Sequence, residues 1–127
     1  RAKRTARILK AMDHPHFTIL AHPSGRLIDQ RAPYDVDMLK IIRKARERGC
    51  FLELNAHPER LDLLDSHCQM AKEEGVLVAI SSDAHSAQDF DNLHYGVGQA
   101  RRGWLEKKDV LNTRSLKELR VLLKKTM

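Results

Sequence analysis

Two stretches, Ala45-Arg-Glu-Arg-Gly49-Cys-Phe-Leu-Glu-Leu-Asn-Ala-His57 and Ala71-Lys-Glu-Glu-Gly75-Val-Leu-Val-Ala-Ile-Ser-Ser-Asp-Ala-His85, repeat one pattern. In each, a charged helix end reaches Gly, the residue that most readily takes the left-handed helix cap, and a short apolar β-rich run follows at once. A looser third copy precedes them. There a basic helix from about Thr5 to Met12 leads through His14-Pro15 into a strand, Phe17 to Ala21, that ends at His22.

The helices between these strands are one-sided. The first is read as capped by Asp35, with Val36, Leu39, Ile42 and Ala45 on one face and Lys40, Arg43 and Arg46 turned outward; the second carries Leu61, Leu64, Cys68 and Ala71 at helical spacing. Strands alternating with such helices predict right-handed βαβ crossovers and a parallel sheet covered on both faces. Weaker signals follow His85: a helix from Val97 to Leu105, a short strand Val110 to Asn112, and a final helix from Ser115 to Lys125 capped by Ser115. That makes about four βα units, half of a closed β/α barrel.

Composition bounds the reading. The chain has 127 residues, 42% of them hydrophobic, enough to bury a core and one domain's worth of sequence. Its longest apolar run, Val76 to Ile80, is far below the roughly 20 residues that span a bilayer. Membrane and secretory classes are therefore excluded, and Cys50 and Cys68 form neither a disulfide framework nor a CxxC metal clip, which favours a reducing cytoplasmic compartment. A net charge of +6 permits an anionic partner without naming one. The chain starts at Arg1 inside a basic helical pattern, so it reads as part of a longer protein.

Each expected strand ends in His: His22, His57 and His85. Ligands of parallel α/β folds gather at the C-terminal strand ends, so the three imidazoles are expected at one mouth. Asp83 and His85, at i and i+2, leave an extended segment on the same side, which lets a carboxylate and an imidazole hold one ion. Nitrogen and oxygen donors without thiolate suit Zn, Mn or Fe. Asp83 has an ordinary alternative use, capping a turn near Ser86 to Asp89. Arg26, in the turn His22-Pro-Ser-Gly-Arg26, and Arg60 with Asn55, in Asn55-Ala-His-Pro-Glu-Arg60, are the phosphate-binding candidates. Glu53, a carboxylate inside an apolar strand, needs a partner or lines the site. His14, His16, His67 and His94 are read as surface or packing residues.

The motifs Ile19-Leu-Ala-His-Pro-Ser-Gly-Arg26, Leu52-Glu-Leu-Asn-Ala-His-Pro-Glu-Arg-Leu-Asp-Leu63 and Ile80-Ser-Ser-Asp-Ala-His-Ser86, with Gly96-Val-Gly-Gln-Ala-Arg-Arg-Gly-Trp-Leu105 and Val110-Leu-Asn-Thr113, closely resemble the C-terminal PHP (polymerase and histidinol phosphatase) domain of bacterial family X DNA polymerases. The resemblance covers essentially the whole chain, read as a single domain, residues 1–127, that is the C-terminal portion of a PHP domain. It implies a distorted β/α barrel with a multi-metal site, Mn or Zn, beside a Mg-dependent polymerase, and a 3'-to-5' exonuclease or related phosphoesterase activity in DNA repair.

Under that resemblance His22, Asp83 and His85 match late metal ligands, and His57 and Glu53 are neighbours or further ligands. No catalytic group beyond a metal-activated water is implied. The family's early ligands have no counterpart here and are expected upstream of Arg1, and His57 stands where the polymerase X branch more often has Asn. DNA is the implied partner, reached through the parent protein. Two other functions compete: a catalytically inactive DNA-binding or scaffolding module, using Arg1, Lys3, Arg4, Arg7, Lys10 and the Arg101-Arg102 pair, and a free-standing histidinol-phosphatase-like enzyme. Half a barrel also leaves an exposed strand edge, which is expected to promote self-association.

Overall fold

The computed structural model of the chain describes residues 2–25, 28 and 35–126. The two glycines do what their sequence context demands. Gly49 and Gly75 adopt left-handed φ values of 72° and 75°, and the N–H of each returns to the carbonyl four residues back, Ala45 and Ala71. Each closes a helix, α2 (Met38–Arg48) and α3 (Asp65–Glu74), and releases the chain into a strand, β2 (Phe51–Asn55) and β3 (Val78–Ser81). The looser copy supplies α1 (Ala2–Met12) and β1 (Ile19–Leu20).

The three strands form a parallel sheet in the order β1-β2-β3, with Leu20 beside Leu52 and Leu52 beside Val78. The parallel α/β expectation holds. As the central strand, β2 is buried at every position except the half-buried Glu53. Leu52, Leu54 and Val78 from the sheet meet Ile41, Ile42 and Ala45 of α2, Cys68 and Ala71 of α3, Leu63 and Met12. Burial pushes the Cys68 thiol up to about 12, with Asp65 adding to the shift, so it acts as a small apolar filler.

Several boundaries differ from the sequence reading. β1 is two residues long, because Phe17 is still in a turn, its N–H on the His14 carbonyl, and His22 bends away with φ 28°. The cap of α2 is Asp37, which accepts the Lys40 N–H, and not Asp35; Thr5 Oγ1 takes the Asp37 N–H and fixes that start. Val36 therefore precedes the helix, and Met38 and Ile41 join Ile42 and Ala45 on the buried face. Leu61 and Leu64 also lie outside α3: Leu61 closes a turn onto the His57 carbonyl with a left-handed φ of 38°, Asp62 bridges antiparallel to Asn55, and Leu64 is the residue at which the helix begins.

After β3, a 3₁₀ turn (Ala87–Asn92) leads into α4 (Leu93–Arg102), which starts and ends earlier than expected. The expected strand at Val110 to Asn112 is a single parallel bridge, Val78 to Val110. Beyond it the Asn112 side-chain amide takes over the ladder, accepting the Ile80 N–H at 3.1 Å and donating to the Ile80 carbonyl at 2.7 Å. One side-chain amide thus closes the edge of β3 where a fourth strand was expected. The last helix, α5 (Leu116–Leu123), is capped by Ser115 in a reciprocal pair with Glu118, as expected, but gives way to a 3₁₀ turn at Lys124. No helix among the described residues is long and apolar enough to cross a membrane.

Gly103 ends α4 for a steric reason. A Cβ there would collide with the Cys68 side chain and lie 2.7 Å from the Asp65 carbonyl, part of α3's backbone. Gly103→Ala is therefore expected to destabilise the fold by about 1–3 kcal/mol in urea unfolding. Gly98, inside the same helix, has nothing within 4 Å of its Cβ position; Gly98→Ala should be neutral or stabilising by up to about 1 kcal/mol.

Candidate functional site

The C-terminal ends of the three strands open on one side of the sheet, and the polar residues singled out from the sequence sit there. Glu53, in the middle of β2, has its partners: its carboxylate accepts the His22 N–H at 2.8 Å on one oxygen and the Ser81 hydroxyl at 2.8 Å on the other. A single side chain on the central strand thus ties together the tips of both outer strands.

Asn55, 1% exposed at the end of β2, uses both ends of its amide. Its oxygen accepts the His57 N–H at 2.9 Å and its nitrogen donates to an Asp83 carboxylate oxygen at 3.1 Å. The Arg60 guanidinium lies 3.6 Å from that same oxygen. Asn55, Arg60 and Asp83 therefore converge, and the carboxylate is oriented by an amide and a cation.

Asp83 is held at φ 51° and His22 at φ 28°. Left-handed backbone at a residue other than glycine costs about 1–3 kcal/mol and persists where the surroundings enforce it, a frequent property of functional sites. The turn at Asp83 also brings His85 back on itself. His85 Nδ1 lies 2.8 Å from the Asp83 carbonyl, and a carbonyl can only accept. Nδ1 therefore carries the proton, and in the neutral ring Nε2 keeps its lone pair, the state a metal-ligating histidine requires.

His57 is in the opposite state. Its Nδ1 accepts the Glu59 N–H at 3.2 Å, so in the neutral ring the proton resides on Nε2. His57 nevertheless belongs to the same neighbourhood. The His85 N–H donates to Asp89 at 2.9 Å, and this bond, joined by Ser86 and the nearby His57, holds the Asp89 carboxyl below the usual carboxylate range.

Among the described residues, no three His, Cys, Asp or Glu side chains group closely enough to hold an ion by themselves. Asp83 and His85 are neighbours, whereas His22 is linked to them through Glu53, Ser81 and the strands. Arg26 lies outside the described residues. The remaining histidines stand apart from this constellation. The His14 and His16 rings lie 5.8 Å apart, tilted by 52°, before β1, with His16 Nδ1 at the Thr126 carbonyl; His67 lies within α3; His94 packs on Tyr95 at the start of α4 and bonds the Asp91 carbonyl.

The sequence reading passed over Asp62. It is fully buried, and its two carboxylate oxygens accept the N–H groups of Ser24 at 2.9 Å and Gly25 at 2.6 Å. Its position between Leu61 and Leu63 is a weak mark in the sequence, because the groups that hold it are backbone N–H groups of a distant turn.

No family model matches the chain. It is 46% identical over 119 residues to the DNA polymerase/3'-5' exonuclease PolX of Bacillus subtilis (strain 168), a match covering 94% of this chain and 21% of that protein, at its C-terminal end. It is 27% identical over 117 residues to a probable phosphatase of Thermoanaerobacter sp. (strain X514), covering 87% of this chain and 45% of that protein. A probable phosphatase of Clostridium novyi (strain NT) is 28% identical over 87 residues, 64% of this chain and 33% of that protein. The chain thus spans about a fifth of the polymerase and less than half of each phosphatase. A DNA polymerase/3'-5' exonuclease and several probable phosphatases share this segment, and the chain is similar to the C-terminal end of that polymerase, in keeping with the resemblance its motifs carry to bacterial family X DNA polymerases.

Proposed function

We propose that the chain is the C-terminal part of a metal-dependent phosphoesterase domain of the PHP type, within a family X DNA polymerase, hydrolysing DNA from the 3' end in repair. The observation that carries this reading is the Asp83 to His85 turn, in which the backbone itself fixes the His85 tautomer beside an oriented carboxylate. The parallel sheet, its polar strand ends and the two classes of relative support it. In the same reading the sheet is one half of a distorted β/α barrel, residues 1–127 form one domain with a longer upstream part, and the protein works in the cytoplasm.

The donor set fits a divalent ion of the Mn or Zn kind as part of a coordination sphere: Asp83 oxygen and His85 Nε2, with His22 reached through the Glu53 link and the remaining donors supplied from outside the described residues. Divalent ions bound there would polarise a phosphate ester and activate water at neutral pH. The chain's own groups prepare that chemistry. Asn55 aims Asp83, Glu53 fixes the tips of β1 and β3, and Arg60 provides a guanidinium for a phosphate once Asp83 engages an ion. Arg26 is assigned the same phosphate-binding role, and Mg serves the polymerase active site elsewhere in the parent.

A second reading has its own observation. Helix α1 contains no acidic residue, and Lys3, Arg4, Arg7 and Lys10 on it are exposed, a face suited to a phosphate backbone in a DNA-binding module without catalysis. One experiment separates the two. Full-length parent polymerase is incubated with 3'-labelled single-stranded DNA, with Mn²⁺ and then with chelator. Hydrolysis that chelator abolishes supports the phosphoesterase; salt-dependent DNA affinity with no Mn²⁺-dependent release of nucleotide favours the binding module.

A further inference from the structure

The turn that carries His22 directs its backbone N–H groups at carboxylates on the central segment, and the Gly25 N–H is shared with the His22 carbonyl at 3.0 Å. Across His22-Pro23-Ser24-Gly25, proline has no N–H, and each of the other three N–H groups meets an acidic side chain: His22 on Glu53 at 2.8 Å, Ser24 on Asp62 at 2.9 Å and Gly25 on Asp62 at 2.6 Å. A buried carboxylate between two converging N–H dipoles makes short, charge-assisted bonds, and Asp62 is fully buried. This brace holds the turn in a backbone that is strained at His22, φ 28°, and that Gly25, φ 65°, adopts freely.

Asp62 is itself fixed to the strand that orients Asp83. Its carbonyl accepts the Asn55 N–H, and the two residues form an antiparallel bridge. The Asn55 side chain bonds Asp83, while the Asp62 side chain holds the His22 turn. One backbone bridge therefore sets the position of both loops. We infer that Asp62 is a positioning residue that fixes His22 relative to Asp83 and His85 for binding a divalent cation. This inference rests on the metal-site reading proposed above.

The two carboxylate oxygens make the aspartate irreplaceable by its isostere. Asn offers one oxygen, so one of the two N–H groups would face an NH₂ and lose its acceptor. The test uses the full chain and Mn²⁺ alone, titrated calorimetrically, with amide exchange of Ser24 and Gly25 followed by NMR. In Asp62→Asn, amide protection at whichever of Ser24 and Gly25 faces the NH₂ should fall at least about 10-fold and Mn²⁺ affinity about 10- to 100-fold, the usual range for groups that orient ligands. Gly25→Ala, which strains the same turn without removing the carboxylate, should weaken Mn²⁺ binding too and serves if Asp62→Asn fails to fold.

His22→Ala is the reference. If the wild type binds Mn²⁺, His22→Ala loses it, and a folded Asp62→Asn binds as tightly as wild type, the positioning role is overturned while the metal site stands. If wild type and His22→Ala are alike, the metal-site reading itself fails and the positioning role falls with it.

Discussion

In Asp83→Ala, Mn²⁺-dependent release of nucleotide from 3'-labelled DNA by the full-length parent is expected to drop by at least about 100-fold, with polymerisation unchanged. The size follows from how many interactions the substitution removes. On the proposed reading a metal ligand goes, and its loss exceeds the about 10- to 100-fold typical of groups that only orient ligands. The Asn55 amide nitrogen loses its acceptor and Arg60 loses the carboxylate 3.6 Å away, so the groups beside the proposed phosphate site lose a shared partner as well. Asp83→Asn sharpens the point: it keeps an oxygen for the Asn55 amide but not the charge, so a comparable loss in Asp83→Asn assigns the effect to charge and ligation. Polymerase activity measured on the same preparation guards against a general folding defect. Exonuclease activity retained in either variant would remove Asp83 from the metal site.

How much of this was legible in the sequence depended on whether the responsible signal was local. Gly49 and Gly75 announce their own φ, Ser115 with Glu118 announces a cap, and the apolar runs after the glycines announce strands that need cover on both sides. Asp35 and Asp37 are two carboxylates at nearly the same spot, and local sequence cannot rank them; the choice was made by Thr5, more than thirty residues away, through the Asp37 N–H. Leu61 and Leu64 have helical spacing, yet the Asn55–Asp62 bridge overrules it.

The site divides the same way. Asp83, His85 and Glu53 were legible because each is chemically conspicuous in its own stretch. Asp62 was hidden because its partners are backbone N–H groups of a distant turn, which leave no mark on side-chain spacing. Asn112 escaped notice as a ladder substitute for the same reason, since an amide that imitates a strand residue looks like a turn residue in sequence.

Leu54→Ala is expected to give the largest loss of stability, about 2–5 kcal/mol by urea unfolding, the range for truncating a fully buried leucine. Leu54 has no solvent exposure, stands opposite Ile80 in the parallel ladder, and belongs to the strand with neighbours on both sides. Arg43 and Arg46 of α2 pair with Glu74 of α3, so the two helices that cover the sheet are tied to each other and a cavity there closes only partly. For a domain of this size the loss corresponds to a fall in Tm of about 10 °C or more. Leu54→Met, which conserves volume, should cost less than about 1.5 kcal/mol. The position also separates stability from site geometry. Leu54 lies between Glu53 and Asn55, the two residues that tie the strand tips and aim Asp83, so a shift of β2 into the cavity would displace both. Leu54→Ala studied well below its Tm should therefore bind Mn²⁺ more weakly than Leu54→Met, whereas Gly103→Ala, which strains the distant α3–α4 contact, should lose stability with Mn²⁺ affinity intact. Equal Mn²⁺ binding by Leu54→Ala and wild type would show that the site is held by its hydrogen bonds alone and not by the packing beneath it.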